Sequence, residues 1–225
     1  MAAFLLADRQ GADMVELDVR LSRDGEPVVF HDRRLGRTAR GWRRVSDHTL
    51  AHLRTLDAGR WFSDRFAGER IPTLQEVLLR LPHRLGVNIE VKTDGDRKRR
   101  HLLASRLGVS LRTERRRLLV SSFDHRFLKI FRPYAAGIPT GALYMAVRDL
   151  RARPSVLARR TGASVFICSS AQLRKRFVRD AREHGMTVLV YGVNTRRQLQ
   201  RVLRFGADGV ITDHPRKIRA LVTHL

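Results

Sequence analysis

The sequence predicts a (β/α)8 TIM barrel whose first strand is missing at the N-terminus, and three observations lead there. Seven short β-like runs recur along the 225 residues, amphipathic helical stretches separate them, and no proline-glycine tract or low-complexity linker divides the chain. One domain spanning 1–225 is expected, about one strand-helix unit short of the roughly 250 residues usual for the fold.

The elements follow in order. Met1 to Gln10 reads as a helix stopped by Gly11, so a helix stands first with no strand before it. The β-like runs are Met14 to Val19, Gly86 to Lys92, Arg117 to Phe123, Thr140 to Met145, Ser164 to Cys168, Met186 to Val193 and Ala207 to Thr212. Between them, apolar residues recur at helical spacing, as in Leu74, Val77, Leu78 and Leu81 before Pro82, or Leu199, Val202 and Leu203 before Gly206. A barrel opened by the loss of one strand would leave two strand edges unpaired.

Composition narrows the class further. With 43% hydrophobic and 30% charged residues and a mean hydropathy of −0.31, wholesale disorder is excluded. The apolar stretches, such as Thr187 to Val193, are far shorter than the roughly 20 residues of a membrane span, and no leader-like segment opens the chain. The single cysteine, Cys168, lies in an apolar run, so a buried thiol and a reducing, cytoplasmic setting are expected. A net charge of +23 favours anionic partners. Because the arginines are scattered along the chain rather than gathered in one stripe, no specific nucleic-acid partner is expected.

The residues able to do chemistry gather on two strands. Glu16 and Asp18 alternate with Val15, Leu17 and Val19, which puts both carboxylates on one face. Asn88, Glu90 and Lys92 alternate in the same way with Val87, Ile89 and Val91. Acids and a lysine facing a barrel axis are a costly way to build a core, so the pattern points to a site. Three carboxylates at close range repel unless a proton or a cation intervenes, and an all-oxygen set selects Mg²⁺, Ca²⁺ or Mn²⁺ over zinc. Lys92 beside such an ion suits a phosphoryl group. Asp24-Gly25 reads as the centre of a two-residue hairpin turn, and counting outward from it pairs Arg20 with Val29, Val19 with Phe30 and Asp18 with His31. On that register an imidazole faces the acids. His48, His52, His125 and His214 receive no role.

These motifs resemble the glycerophosphodiester phosphodiesterases over essentially the whole chain. The likeness is carried by Gly-Ala-Asp-Met-Val-Glu-Leu-Asp-Val at 11–19, Arg-Asp-Gly-Glu-Pro-Val-Val-Phe-His-Asp at 23–32, Arg37-Thr38, Ile-Pro-Thr-Leu-Gln-Glu-Val-Leu at 71–78, Asn-Ile-Glu-Val-Lys at 88–92, Ser-Ser-Phe-Asp at 121–124, Val193-Asn194 and Gly-Ala-Asp-Gly-Val-Ile-Thr-Asp-His-Pro at 206–215. The resemblance implies a TIM-like barrel and hydrolysis of a small-molecule glycerophosphodiester to glycerol 3-phosphate and an alcohol. It implies Glu16, Asp18 and Glu90 as ligands of a divalent cation, Mg²⁺ or Ca²⁺, His31 as the second catalytic histidine and Lys92 as the phosphate-side lysine. Two departures accompany it. The family's opening strand with His-Arg-Gly, and the Pro-Glu-Asn-Thr after it, would both fall before Met1, taking with them the first catalytic histidine, an arginine and a glutamate. Tyr191-Gly192 stands where the family often has Trp-Thr. The competing readings are a catalytically impaired, truncated paralogue and a basic nucleic-acid-binding domain.

Overall fold

The computed structural model describes the chain except residues 95, 135, 136, 150, 151, 224 and 225. After α1 (Ala2–Arg9) the chain enters β1 (Met14–Leu21) and turns back in the short β2 (Pro27–Val29). A long segment then holds the four-residue helix α2 (Leu50–Leu53) and leads into α3 (Leu74–Arg80). From there strands and helices alternate: β3 (Gly86–Val91), α4 (Arg97–Leu111), β4 (Leu118–Ser122), α5 (His125–Phe131), β5 (Thr140–Leu143), α6 (Ala146–Asp149), α7 (Pro154–Thr161), β6 (Val165–Ser169), α8 (Lys175–Glu183), β7 (Thr187–Tyr191), α9 (Arg196–Phe205), β8 (Gly209–Ile211) and α10 (Pro215–Thr223). Every predicted strand is present, with ends that differ by at most two residues from those expected. Among the described residues, no helix is long and apolar enough to cross a membrane.

One curled sheet takes the order β2-β1-β3-β4-β5-β6-β7-β8. All neighbouring pairs are parallel except β1 with β2. Among the described residues, β2 covers β1 over Val19–Leu21 and one further bond reaches the Asp18 carbonyl, so the Met14–Leu17 half of β1 pairs in the sheet on one side alone.

The alternation within each strand sorts side chains into two layers. Val15, Leu17 and Val19 of β1 and Val87, Ile89 and Val91 of β3 face the helices, where they pack with Leu103, Leu107, Phe127, Phe131 and Phe166. The opposite face lines the barrel and carries a smaller cluster of Leu119, Leu143, Val165 and Ile167 against Leu189 and Ile211. Gly141 is needed in that inner layer, because a Cβ there would stand 2.7 Å from Ile167 Cδ1. The helix starts are capped as their sequences direct. Thr73 with Glu76 and Thr195 with Gln198 form capping boxes, and Asp124 accepts from the N–H groups of Arg126 and Phe127. Cys168 is fully buried, and burial pushes its thiol up to about 12, as an inert core residue requires.

The hairpin departs from expectation. The observed register is Val19 with Val29, Arg20 with Val28 and Leu21 with Pro27, one residue out from that read off the Asp-Gly pair, so Asp18 does not oppose His31. The loop holds three residues, not two. Arg23 N–H is drawn off to the His48 carbonyl (2.8 Å), and the Asp24 carboxylate accepts from Ser22 Oγ (2.6 Å) and Leu50 N–H (2.9 Å). Gly25 supplies the left-handed residue at φ +87°, as three-residue hairpin loops require. Docking of the loop onto the 45–50 segment therefore overrides the preference of Asp-Gly for a two-residue turn.

Phe127 is fully buried and stacks on Phe131 at 5.7 Å, so Phe127→Ala should cost about 3–5 kcal/mol in chemical denaturation; a loss within experimental error would remove it from the core. Asp57 accepts from the N–H groups of Arg60 (2.9 Å), Gly68 (2.8 Å) and Gly59 (2.8 Å), which hold its carboxyl down at about 2 from the ordinary 3.8. Because its folded pKa lies below the unfolded value, this stabilisation is complete above about pH 4 and is lost as pH falls through about 2. Asp57→Asn should therefore be less stable than the parent in urea melts at neutral pH, and the two curves should converge over that acid interval.

Candidate active site

Parallel pairing of β1 with β3 sets Glu16 beside Asn88 and Asp18 beside Glu90. In a parallel ladder, opposed residues share a face, so the carboxylates from the two strands project into one space. One oxygen from each of Glu16, Asp18 and Glu90 lies within 4.8 Å of the others. At an effective dielectric of 20, each pair of full charges at such separations costs about 3–4 kcal/mol. Lys92 meets part of this cost. Its Nζ lies 3.1 Å from Asp18 Oδ1 and also bonds Glu90 Oε1, held there because Lys92 N–H continues the ladder by donating to the Val19 carbonyl (2.9 Å).

The compensation is incomplete. Burial, then the charges of Asp18 and Glu90, push Glu16 up to about 8, and its Oε1 is buried without a hydrogen-bond partner. Burial also raises Glu90, opposed by Lys92. For Lys92, burial works against the charged form, and Asp18 and Glu90 overcome it, so its pKa lies above the ordinary lysine value. An orphaned buried carboxylate oxygen amid three acids and one ammonium is a site built for more positive charge than the side chains provide. Hard oxygen donors of this kind fit a divalent cation such as Mg²⁺, Ca²⁺ or Mn²⁺.

His31 reaches the site by another route than ladder pairing. The ladder ends with Phe30 N–H donating to the Asp18 carbonyl (2.9 Å). Past it, the His31 carbonyl accepts two bonds from Arg20, at 3.1 Å from Nε and 2.9 Å from Nη2. Arg20 lies 3.7 Å from Asp94. The exposed imidazole meets Asp32 Oδ1 through Nδ1 at 2.8 Å, and Arg37 grips the same carboxylate with two bonds of 2.8 Å. Arg37 holds the Asp32 carboxyl below its ordinary range against partial burial, with His31 adding to the effect. The imidazole is close enough to the triad for its charge to oppose the rise in Glu90. The structure thus brings Glu16, Asp18, Glu90 and Lys92 together as predicted and seats His31 at their edge by means of Arg20 and Asp32.

Sequence reasoning passed over several of these groups. Arg20, Asp32 and Arg37 act through contacts that no spacing rule announces. Asp213, just beyond β8, adds to the rise in Glu16 and is tied to the preceding loop by Asn194 Nδ2 at 2.6 Å; a carboxylate past the C-terminal end of a barrel strand is the signal that could have found it. Tyr191, packed on the barrel-lining cluster, has its phenol raised by burial and feels the charge of Glu90. His125 bonds the Leu143 carbonyl through Nε2 (3.0 Å), and His48 stacks on His52 at 4.6 Å.

The chain has counterparts among known proteins. The model of the glycerophosphoryl diester phosphodiesterase family matches residues 1–217. A glycerophosphodiester phosphodiesterase of Caldanaerobacter subterraneus subsp. tengcongensis is 33% identical over 99% of this chain and 90% of its own length. One of Bacillus subtilis is 30% identical over 93% and 76%. Among solved structures, an Oleispira antarctica phosphodiesterase in complex with the product sn-glycerol-3-phosphate superposes with a TM-score of 0.89 at 28% identity, covering 99% of this chain and 90% of that one. The Agrobacterium tumefaciens glycerophosphodiester phosphodiesterase gives 0.80 at 29%, over 96% and 90%. Matched along nearly all of its length in both sequence and fold, the chain is a member of the glycerophosphoryl diester phosphodiesterase family.

Proposed function

We propose that the protein hydrolyses glycerophosphodiesters to glycerol 3-phosphate and an alcohol at the Glu16–Asp18–Glu90 site, with a divalent cation, Mg²⁺ or Ca²⁺, held by those three carboxylates. The observation that carries this reading is the unpartnered, buried Glu16 oxygen among three converging acids. The activity named for the relatives and the product held by the Oleispira neighbour support the substrate class.

When bound, the cation would supply Lewis-acid polarisation of a phosphoryl oxygen and neutralise the acids. The remaining work belongs to the chain's own residues. Lys92, already fixed between Asp18 and Glu90, orients the phosphoryl group and offsets charge as it grows. The Asp32 contact at Nδ1 holds the imidazole of His31 in one orientation, leaving Nε2 to deliver a proton to the departing alkoxide oxygen. The neighbouring glycerol hydroxyl attacks phosphorus and gives up its proton to water as the P–O bond to the alcohol breaks, and a water molecule then opens the resulting cyclic phosphate to glycerol 3-phosphate. Tyr191 and Phe123 pack on the barrel-lining cluster, and the Phe123 ring lies 5.7 Å from Lys92 Nζ.

Release of glycerol 3-phosphate from glycerophosphocholine, followed with and without chelator, tests this directly. His31→Ala and Glu90→Gln should each lower kcat by about 10²–10⁴ with the fold intact, and near-normal turnover in either would defeat the assignment. Cation binding has its own readout in thermal unfolding. At about a hundredfold excess over Kd, the ion should stabilise by about 2.7 kcal/mol, roughly 5–10 °C in Tm for a chain of this size. Glu16→Gln should abolish most of that shift; an equal shift in the variant would place the ion elsewhere.

A further inference from the structure

The segment from Phe30 to Thr73 builds a core of its own from Phe30, Leu35, Val45, Leu53 and Ile71, yet its largest rings stay outside it. Trp42, Trp61 and Phe62 are 72%, 52% and 70% exposed; Trp61 bonds the Ala58 carbonyl through Nε1 (2.9 Å) and meets Phe62 edge-on at 5.7 Å, yet rings left so far out in solvent mark an interaction surface. Each tryptophan carries a guanidinium on its face. Arg43 stands 4.7 Å from the Trp42 ring and Arg37 stands 5.4 Å from Trp61. The segment holds ten arginines against five acids, and four of the acids are engaged internally. Asp32 holds Arg37, Asp47 caps Arg44 N–H, Asp57 holds its own loop and Glu69 binds the Met1 amino group. Arg33, Arg37, Arg54 and Arg60 meet carboxylates, which leaves Arg34, Arg40, Arg43, Arg44, Arg65 and Arg70 without an acidic side-chain partner among the described residues.

The patch is continuous with the catalytic wall. Arg37 touches both Trp61 and Asp32, and Asp32 touches His31, so whatever binds the rings is held at the mouth of the site. Rings whose faces are already covered by arginine have little room to stack on nucleotide bases, but their edges remain free to enter an apolar layer while the guanidinium groups meet phosphates. That division of labour is the chemistry of a lipid headgroup interface. We propose that the surface bearing Trp42, Phe62, Arg40 and Arg43 docks the protein onto a bilayer containing anionic lipid. Docking there sets the active-site mouth against the headgroup layer. This binding does not depend on the hydrolytic reading and is measured without it.

Co-sedimentation with vesicles of phosphatidylcholine alone, or with about 30 mol% phosphatidylglycerol, at about 0.1 M salt provides the test. Binding should appear only with the anionic vesicles, weaken as salt rises, and shift the indole emission to the blue. Trp42→Ala with Phe62→Ala should lower partitioning about tenfold without any change in charge. Arg40→Gln and Arg43→Gln should each cost roughly fivefold. Arg179→Gln with Arg182→Gln, which removes the same charge from the surface of α8, should leave partitioning within about twofold, and turnover of a water-soluble diester should be unchanged in all of these variants. Failure to bind anionic vesicles, an equal loss from the α8 pair, or full binding without Trp42 and Phe62 would overturn the proposal. So would selective binding of a single-stranded oligonucleotide that the same ring variants abolish.

Discussion

The in-register parallel pairing of β1 with β3 is the constraint on which the rest of the site depends. With Asp18 opposite Glu90, the two strands cannot bury their shared apolar face against the helices without also thrusting three carboxylates into the barrel. The strand period makes these consequences inseparable. Val15, Leu17 and Val19 are buried because Glu16 and Asp18 face inward, and a slip of one residue in either strand would move acids into the helical layer and valines into the site. The outer core therefore enforces the electrostatic strain that the Glu16 carboxyl displays. Lys92 relieves the strain only in part, since its single ammonium engages Asp18 and Glu90 and leaves the Glu16 oxygen unpartnered.

A second device holds the imidazole. The antiparallel ladder of β2 stops short of His31, and its place is taken by an arginine from the strand that also bears the acids. Arg20 continues the alternation of Glu16 and Asp18 along β1 and bonds the His31 carbonyl twice, so one strand fixes both the carboxylates and the backbone of the histidine. The imidazole is then aimed by Asp32, which Arg37 holds in turn. Orientation through this relay tolerates the three-residue loop of the hairpin in a way that direct strand pairing would not, because a side chain as long as arginine absorbs the shift of register.

Most of the fold and the acidic half of the site were legible in the sequence because both rest on short-range periodicity. Alternation in Val15 to Val19 and Val87 to Lys92 determines which side chains share a face, and the helix caps at Thr73, Asp124 and Thr195 are local chemistry. The hairpin register was not legible. Its outcome turns on Arg23 N–H reaching His48 and on Asp24 reaching Leu50, contacts across more than twenty residues against which a two-residue turn preference is a weak prior. Arg20, Asp32, Arg37 and Asp213 were missed for a related reason. In a chain with 45 lysines and arginines, a structural arginine has no compositional signature, and its role appears only when the fold brings a carbonyl or carboxylate to it.

The arginine excess itself resolves into distinct uses once the fold is known. Some guanidinium groups replace backbone pairing, as Arg20 does at His31 and Arg116 does at the Leu78 carbonyl (2.7 Å). Others brace a carboxylate, as Arg37 does at Asp32. Of those left over in the segment after β2, Arg43 lies over the face of Trp42, and Arg40 and Arg44 beside it add further unpaired positive charge. A surface that keeps its rings exposed and its like charges crowded is less stable alone than one with both removed, so a partner of opposite charge and mixed polarity offers a physical reason for the arrangement. The Asp32–Arg37 pair joins that surface to the histidine relay, because Arg37 stands over Trp61 while it holds the carboxylate that orients His31.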